Sequence, residues 1–143
     1  MKAKRIVSLA LALLLLTCLL AVPVSAATVT KQTDFTYHDS IIKSWTVGKI
    51  TGYYTYSYNP STKKLINEKS LTYRTSKLAF ACKFTDVSKK WDWYNTTDRN
   101  GSGCAVFKWR FGVGLTTQWV TIGSYRNDTM MAYVYGNGNF VRR

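Results

Sequence analysis

The chain has a single histidine, His38, followed directly by Asp39 and Ser40. Together these supply the base, orienting carboxylate and hydroxyl of a hydrolytic triad. Triad members meet through space from separate elements, and neighbours in an extended segment point to opposite faces, so this stretch reads as a turn with a solvated histidine. A glycosidase-type acid/base pair could be drawn from Asp34, Glu68, Asp86, Asp92, Asp98 and Asp128, but nothing in their spacing selects two of them. A thiol nucleophile would need a histidine partner and an unbridged cysteine. The sequence identifies no catalytic constellation, and the expectation is a protein that is not an enzyme.

Metal chemistry has one opening. Asp98-Arg99-Asn100-Gly101-Ser102-Gly103 has the oxygen spacing and turn glycine that begin a calcium loop. Its twelfth position, where a bidentate glutamate belongs, is Trp109, no helices flank it, and it offers one carboxylate. An ordinary Gly/Asn turn is the better reading, with no metal and no cofactor expected. The pairs Gly101/Gly103, Gly112/Gly114 and Gly136/Gly138 are isolated G-x-G matches without a strand-to-helix context and signal turns or bulges.

Cations and aromatics interleave in Lys89-Lys90-Trp91-Asp92-Trp93-Tyr94 and in Phe107-Lys108-Trp109-Arg110-Phe111. Strict alternation in the second puts three aromatics on one face and two cations on the other, as in a central strand. The first is placed beyond the end of a good strand, beside the loop Asn95 to Gly103. There Trp91, Trp93 and Tyr94 form a binding platform flanked by Lys89, Lys90 and Arg99. The competing reading is that the two tryptophans plug one end of the fold. Stacking aromatics in a cationic groove also suit single-stranded nucleic acid. The export signal described below and the lack of any RNP or zinc-finger pattern make nucleic acid an unlikely partner. Asn95-Thr96-Thr97, Asn100-Gly101-Ser102 and Asn127-Asp128-Thr129 match the glycosylation acceptor pattern but read as turns.

Positioning these groups falls to strands. From Thr28 onward the chain is rich in Thr, Tyr, Val, Ile, Phe and Trp and is broken at short intervals by Gly, Asn, Asp, Ser and Pro. Thr51 to Tyr58, the turn Asn59-Pro60-Ser61-Thr62 and Leu65 to Tyr73 read as a hairpin. Further strands are expected at Leu78 to Val87, Ala105 to Val113, and Thr117 to Tyr125, the last returning through Arg126-Asn127-Asp128 into Thr129 to Tyr135. Earlier ones are expected near Val29 to Tyr37 and Ile41 to Val47. No sustained helical stripe or repeat appears. The sum is an all-β domain of seven or eight short antiparallel strands, a sandwich or a barrel.

Lys2, Lys4 and Arg5 precede an apolar run from Ile6 through Val22, and Val24-Ser25-Ala26 follows. This is the order of a bacterial-type signal peptide over residues 1–26, leaving a secreted domain over 27–143. The apolar run is short for an uncleaved anchor, which needs roughly 20 residues. Cys18 belongs to the leader, since Thr17 is a poor neighbour for a lipoprotein site. The remaining 117 residues suit one domain and carry 17 Lys and Arg against seven Asp and Glu, a net charge of +10. Such a charge points to an anionic cell-envelope polymer or membrane surface as partner, unless it serves solubility alone. An exported antimicrobial or toxin-like protein acting on a membrane, and a small secreted hydrolase, are the rival classes. Cys82 and Cys104, an even pair in an exported chain, are expected to form a disulfide. The alternation around each puts Cys82 inward and Cys104 outward, so the bridge requires a bulge or the glycine-rich loop to rotate one of them.

Overall fold

The computed structural model describes residues 25–38, 45–77, 81–116 and 121–143. Residues 1–24 of the leader, Asp39, Ser40 and the beginnings of the strands expected at Ile41, Leu78 and Thr117 lie outside the described residues. Seven strands form: β1 (Ala27–His38), β2 (Thr46–Asn59), β3 (Lys64–Lys77), β4 (Cys82–Tyr94), β5 (Ser102–Thr116), β6 (Thr121–Tyr135) and β7 (Phe140–Arg142). They make two antiparallel sheets, β1-β2-β3 and β4-β5-β6-β7, and no closed barrel. Each long strand pairs with its neighbour in sequence, so the topology is two meanders.

The alternation that identifies the strands also builds the core. On β2, Ile50, Tyr54 and Tyr56 face inward. From the other sheet Phe107, Trp109 and Phe111 on β5 and Met130 and Ala132 on β6 join Ile50 and Tyr54 in one cluster, and Tyr56 packs with Leu65 and Val134 in a second, all almost fully buried. A large side chain removed from water in this way contributes roughly 2–3 kcal/mol. Close approach of the sheets depends on two inward glycines of β2. A Cβ at Gly48 would lie 2.7 Å from the Phe111 ring, and one at Gly52 would lie 2.9 Å from the Met130 methyl.

Apart from the Trp91 indole, the buried side-chain polar groups among the described residues are paired. The Trp109 indole N–H donates to the Tyr37 hydroxyl at 2.7 Å, and that hydroxyl donates to Asp128, which Arg126 also holds. The Tyr37 ring stacks on Phe111 at 3.7 Å, and burial raises its pKa well above the ordinary phenol value. Tyr56 and Tyr94 tie one sheet to the other: the Tyr56 hydroxyl donates to the carbonyl of Gly138 and the Tyr94 hydroxyl to that of Ile66, both at 3.0 Å. Burial pushes both phenols up to about 12.

Three expectations change. The six long strands run to 12–15 residues rather than being short. Arg126-Asn127-Asp128 is no return turn: it lies inside β6, paired with Phe111, Arg110 and Trp109 of β5, while the Gly136–Asn139 turn delivers β7. The disulfide is absent. Cys82 pairs across to Val113 and Cys104 to Trp93, which sets them nine residues apart along β5, about 30 Å. A bridge needs Cα atoms within about 7 Å, and no bulge closes that gap. Both are buried free thiols, and burial raises the pKa of each.

Candidate functional site

β4 is where the cation/aromatic segment lies, and it is interrupted twice. Between Thr85 and Ser88 it spends three residues against two of β5, with Asp86 in the left-handed region at φ 54°. Between Trp91 and Trp93 it spends two residues against one. A bulge of this kind reverses which residues face inward. Trp91 and Trp93, two apart in sequence, therefore point to opposite faces.

The segment is divided accordingly. Trp91 and Tyr94 turn inward and meet edge-to-face at 5.0 Å between the two core clusters. Trp91 is placed as the plug reading of the two tryptophans has it, and Trp93 is not. The Trp91 indole N–H is buried without an acceptor among the described residues. Lys89 has inward parity, opposite Phe107, and its ammonium lies 5.8 Å from the ring centroid of Tyr73 on β3. Lys90 and Trp93 face out, Lys90 bonded to Asp92 at 2.7 Å and Trp93 45% exposed. Arg99 is exposed in the loop after β4. That loop is fixed by its backbone, with the Asn100 N–H donating to the Lys63 carbonyl and the Gly136 N–H to that of Gly101. No ion pair or ring contact joins Arg99 to the lysines or Trp93 among the described residues.

What surrounds Lys90 and Trp93 is the outer face of the four-stranded sheet, and the register lays it out in rows. Trp93, Cys104 and Tyr133 form one row; Lys90, Val106 and Met131 the next; then Ser88, Lys108 and Thr129; then Thr85, Arg110 and Asn127; and finally Lys83, Gly112 and Tyr125. From first row to last is about 27 Å, and the face is four strands, roughly 14 Å, wide. Ser88, Lys89, Lys90, Val106 and Lys108 line a groove of about 190 Å³ along β4 and β5, at the edge of this face. Lys83, Lys108 and Arg143 have no carboxylate within ion-pair distance among the described residues, whereas Arg110 reaches Asp86 at 3.5 Å. At one end Trp93 lies against Tyr133 with ring centroids 5.8 Å apart, and the Arg143 guanidinium lies over the same tyrosine at 5.4 Å.

Val106, Lys108, Met131, Tyr133, Val141 and Arg143 therefore join Lys90 and Trp93, and sequence reasoning missed them. The alternation around Phe107 did separate Lys108 from the core, but only the pairing of β4 with β5 brings it beside Lys90. His38 is exposed, with the Thr36 hydroxyl 3.3 Å from its Nε2. Among the described residues no group of three metal-ligating side chains assembles. Compared with family models, curated proteins and solved structures, the chain matches none significantly.

Proposed function

We propose that the protein is a secreted, non-enzymatic β-sandwich module that docks electrostatically on an anionic extracellular or cell-envelope partner through the outer face of its four-stranded sheet. The observation carrying this reading is the groove where Lys90 and Lys108 flank Val106, with Lys83, Arg110 and Arg143 on the same face. The sheet fixes the backbone positions of these cations side by side, and the Lys90 ammonium exchanges its bond to Asp92 for the partner's anion. The net charge of +10 over residues 27–143 steers the approach from a distance.

A hydrolase finds little support. Asp34, Asp86, Asp92 and Asp128 each lie in an ion pair with Lys49, Arg110, Lys90 and Arg126 respectively, an arrangement that neutralises carboxylates rather than tuning one as a general acid. The test is co-sedimentation with purified cell walls and with anionic vesicles across a salt series from roughly 0.05 to 1 M, which spans weak to strong screening. Salt-sensitive capture that Lys90→Ala/Lys108→Ala largely abolishes is the expected result. Capture that ignores both salt and the double substitution refutes the docking face.

A further inference from the structure

Resting on that docking reading, the geometry points to the class of partner: we infer that the face seats on an anionic lipid surface, with the Trp93 end dipping into the headgroup layer. A purely polyanionic partner would be met by cations alone, and a sugar chain by cations and flat rings. This end of the face offers something further. Val141 pairs directly with Tyr133, Met131 lies one row away, and Trp93 packs beside the same tyrosine. Val141 is 45% exposed, Met131 39% and Trp93 45%. A valine and a methionine held out in water around two aromatic rings gain nothing from a hydrated polymer. They gain from an apolar phase. Trp and Tyr, each with an apolar body and a polar tip, suit the boundary between headgroups and acyl chains.

The cations are placed to match. Lys90, level with Met131, lies one row above the Trp93–Tyr133–Val141 row and Lys108 two rows above it, about 7 and 13 Å along the strands. Arg143 lies over Tyr133 itself. With the Trp93–Tyr133–Val141 row inserted by the 5–10 Å typical of interfacial segments, Lys90 and Lys108 stand at the level of the phosphates, and Arg143 is the cation nearest the inserted row. Exposed aliphatics beside rings, and cations graded along the same strands, together favour lipid over polymer.

The experiment uses the processed protein, its N-terminus confirmed by mass, against vesicles of phosphatidylcholine with phosphatidylglycerol, vesicles of phosphatidylcholine alone, and soluble polyphosphate. Capture by the phosphatidylglycerol vesicles is expected, with a blue shift of tryptophan emission that Trp93→Phe removes. Met131→Ser/Val141→Ser should weaken vesicle capture roughly tenfold and leave polyphosphate binding unchanged, whereas Lys90→Ala/Lys108→Ala should weaken vesicle capture roughly thirtyfold and weaken both. All these positions project from the outer face, and an unchanged melting temperature verifies that each variant is folded. Polyphosphate or cell-wall binding without vesicle capture overturns the lipid assignment and leaves the docking face standing. Vesicle capture with no emission shift and no effect of Met131→Ser/Val141→Ser does the same. Failure to bind any of these partners overturns both.

Discussion

On the outside of the three-stranded sheet the Thr28 hydroxyl meets that of Ser57 at 2.7 Å, Thr30 meets Thr55 at 2.9 Å, and Lys49 bonds the Asp34 carboxylate at 2.8 Å. Hydrogen bonds from Lys49 and Thr51 hold the Asp34 carboxyl below the usual carboxylate range. On the outside of the four-stranded sheet, Lys83 and Lys108 lack a carboxylate among the described residues, and Met131, Val141 and Trp93 lack cover. Both faces follow the same alternation of strand residues. In the first, neighbouring side chains satisfy one another across the strands; in the second, Lys90 and Arg110 find carboxylates in Asp92 and Asp86, and Lys83, Lys108 and the apolar groups are left over. On the proposed docking reading, these left-over groups rather than the net charge set the face apart.

The harshest way to break the comparison is to separate the sheets that carry the two faces. Tyr56 and Tyr94 join them as neutral phenols, with pKa values of about 12 against 10 for the ordinary phenol. A folded pKa above the unfolded one means the folded state keeps a proton that the unfolded chain has lost. Their contribution is therefore fully present below pH 10 and is lost as pH rises from about 10 to 12, at about 1.4 kcal/mol per pH unit for each residue. Urea midpoints measured across that range should fall, and Tyr94→Phe should flatten the descent. A midpoint constant to pH 12 contradicts the tie.

Next in size is a charge reversal made on each face in turn. Lys90→Glu/Lys108→Glu should reduce capture by anionic vesicles about a thousandfold, each reversal counting as twice a deletion. Lys49→Glu/Arg74→Glu, identical in net charge and made on the outer face of the three-stranded sheet, where Arg74 on β3 pairs with Thr51, should reduce it only a few-fold through the long-range field. Equal losses measured by co-sedimentation would mean that total charge, not the face, determines binding. The smallest effect is expected on the self-satisfied face. Thr30→Val/Thr55→Val removes both partners of one hydroxyl pair and keeps β-branched side chains, so stability should stay within about 0.5 kcal/mol. A larger loss in urea melts would show that the hydroxyl lattice is structural.

The sequence made legible what alternation and turn chemistry encode. The β2–β3 hairpin was legible because Tyr54, Tyr56 and Tyr58 alternate with small hydroxyl residues ahead of Asn59-Pro60, and the centre of β5 because Phe107, Trp109 and Phe111 recur at strict period two. Two kinds of information were not local. Asn127 reads as a turn residue, yet it stays in strand because β5 runs the full length beside it and Arg110 donates to its side-chain oxygen at 3.2 Å. The two β4 bulges leave no composition signal, so the aromatic cluster appeared to be one platform when it is two residues of core and one of surface. Of the candidate residues, Lys90 and Trp93 stand on the outer face and Lys89 lines its groove. Trp91 and Tyr94 hold the sheets together, and Arg99 belongs to a loop at the end of the fold.

The placement of the two thiols bears on how such a chain could be made. With Cys82 and Cys104 held about 30 Å apart along β5 and both buried, no covalent cross-link has to be selected during maturation. The native state is reached through strand pairing and core burial alone. A Cys82–Cys104 bridge formed before the sheet closes would oppose this register, so the domain folds with both thiols reduced and needs no oxidase to reach its native state.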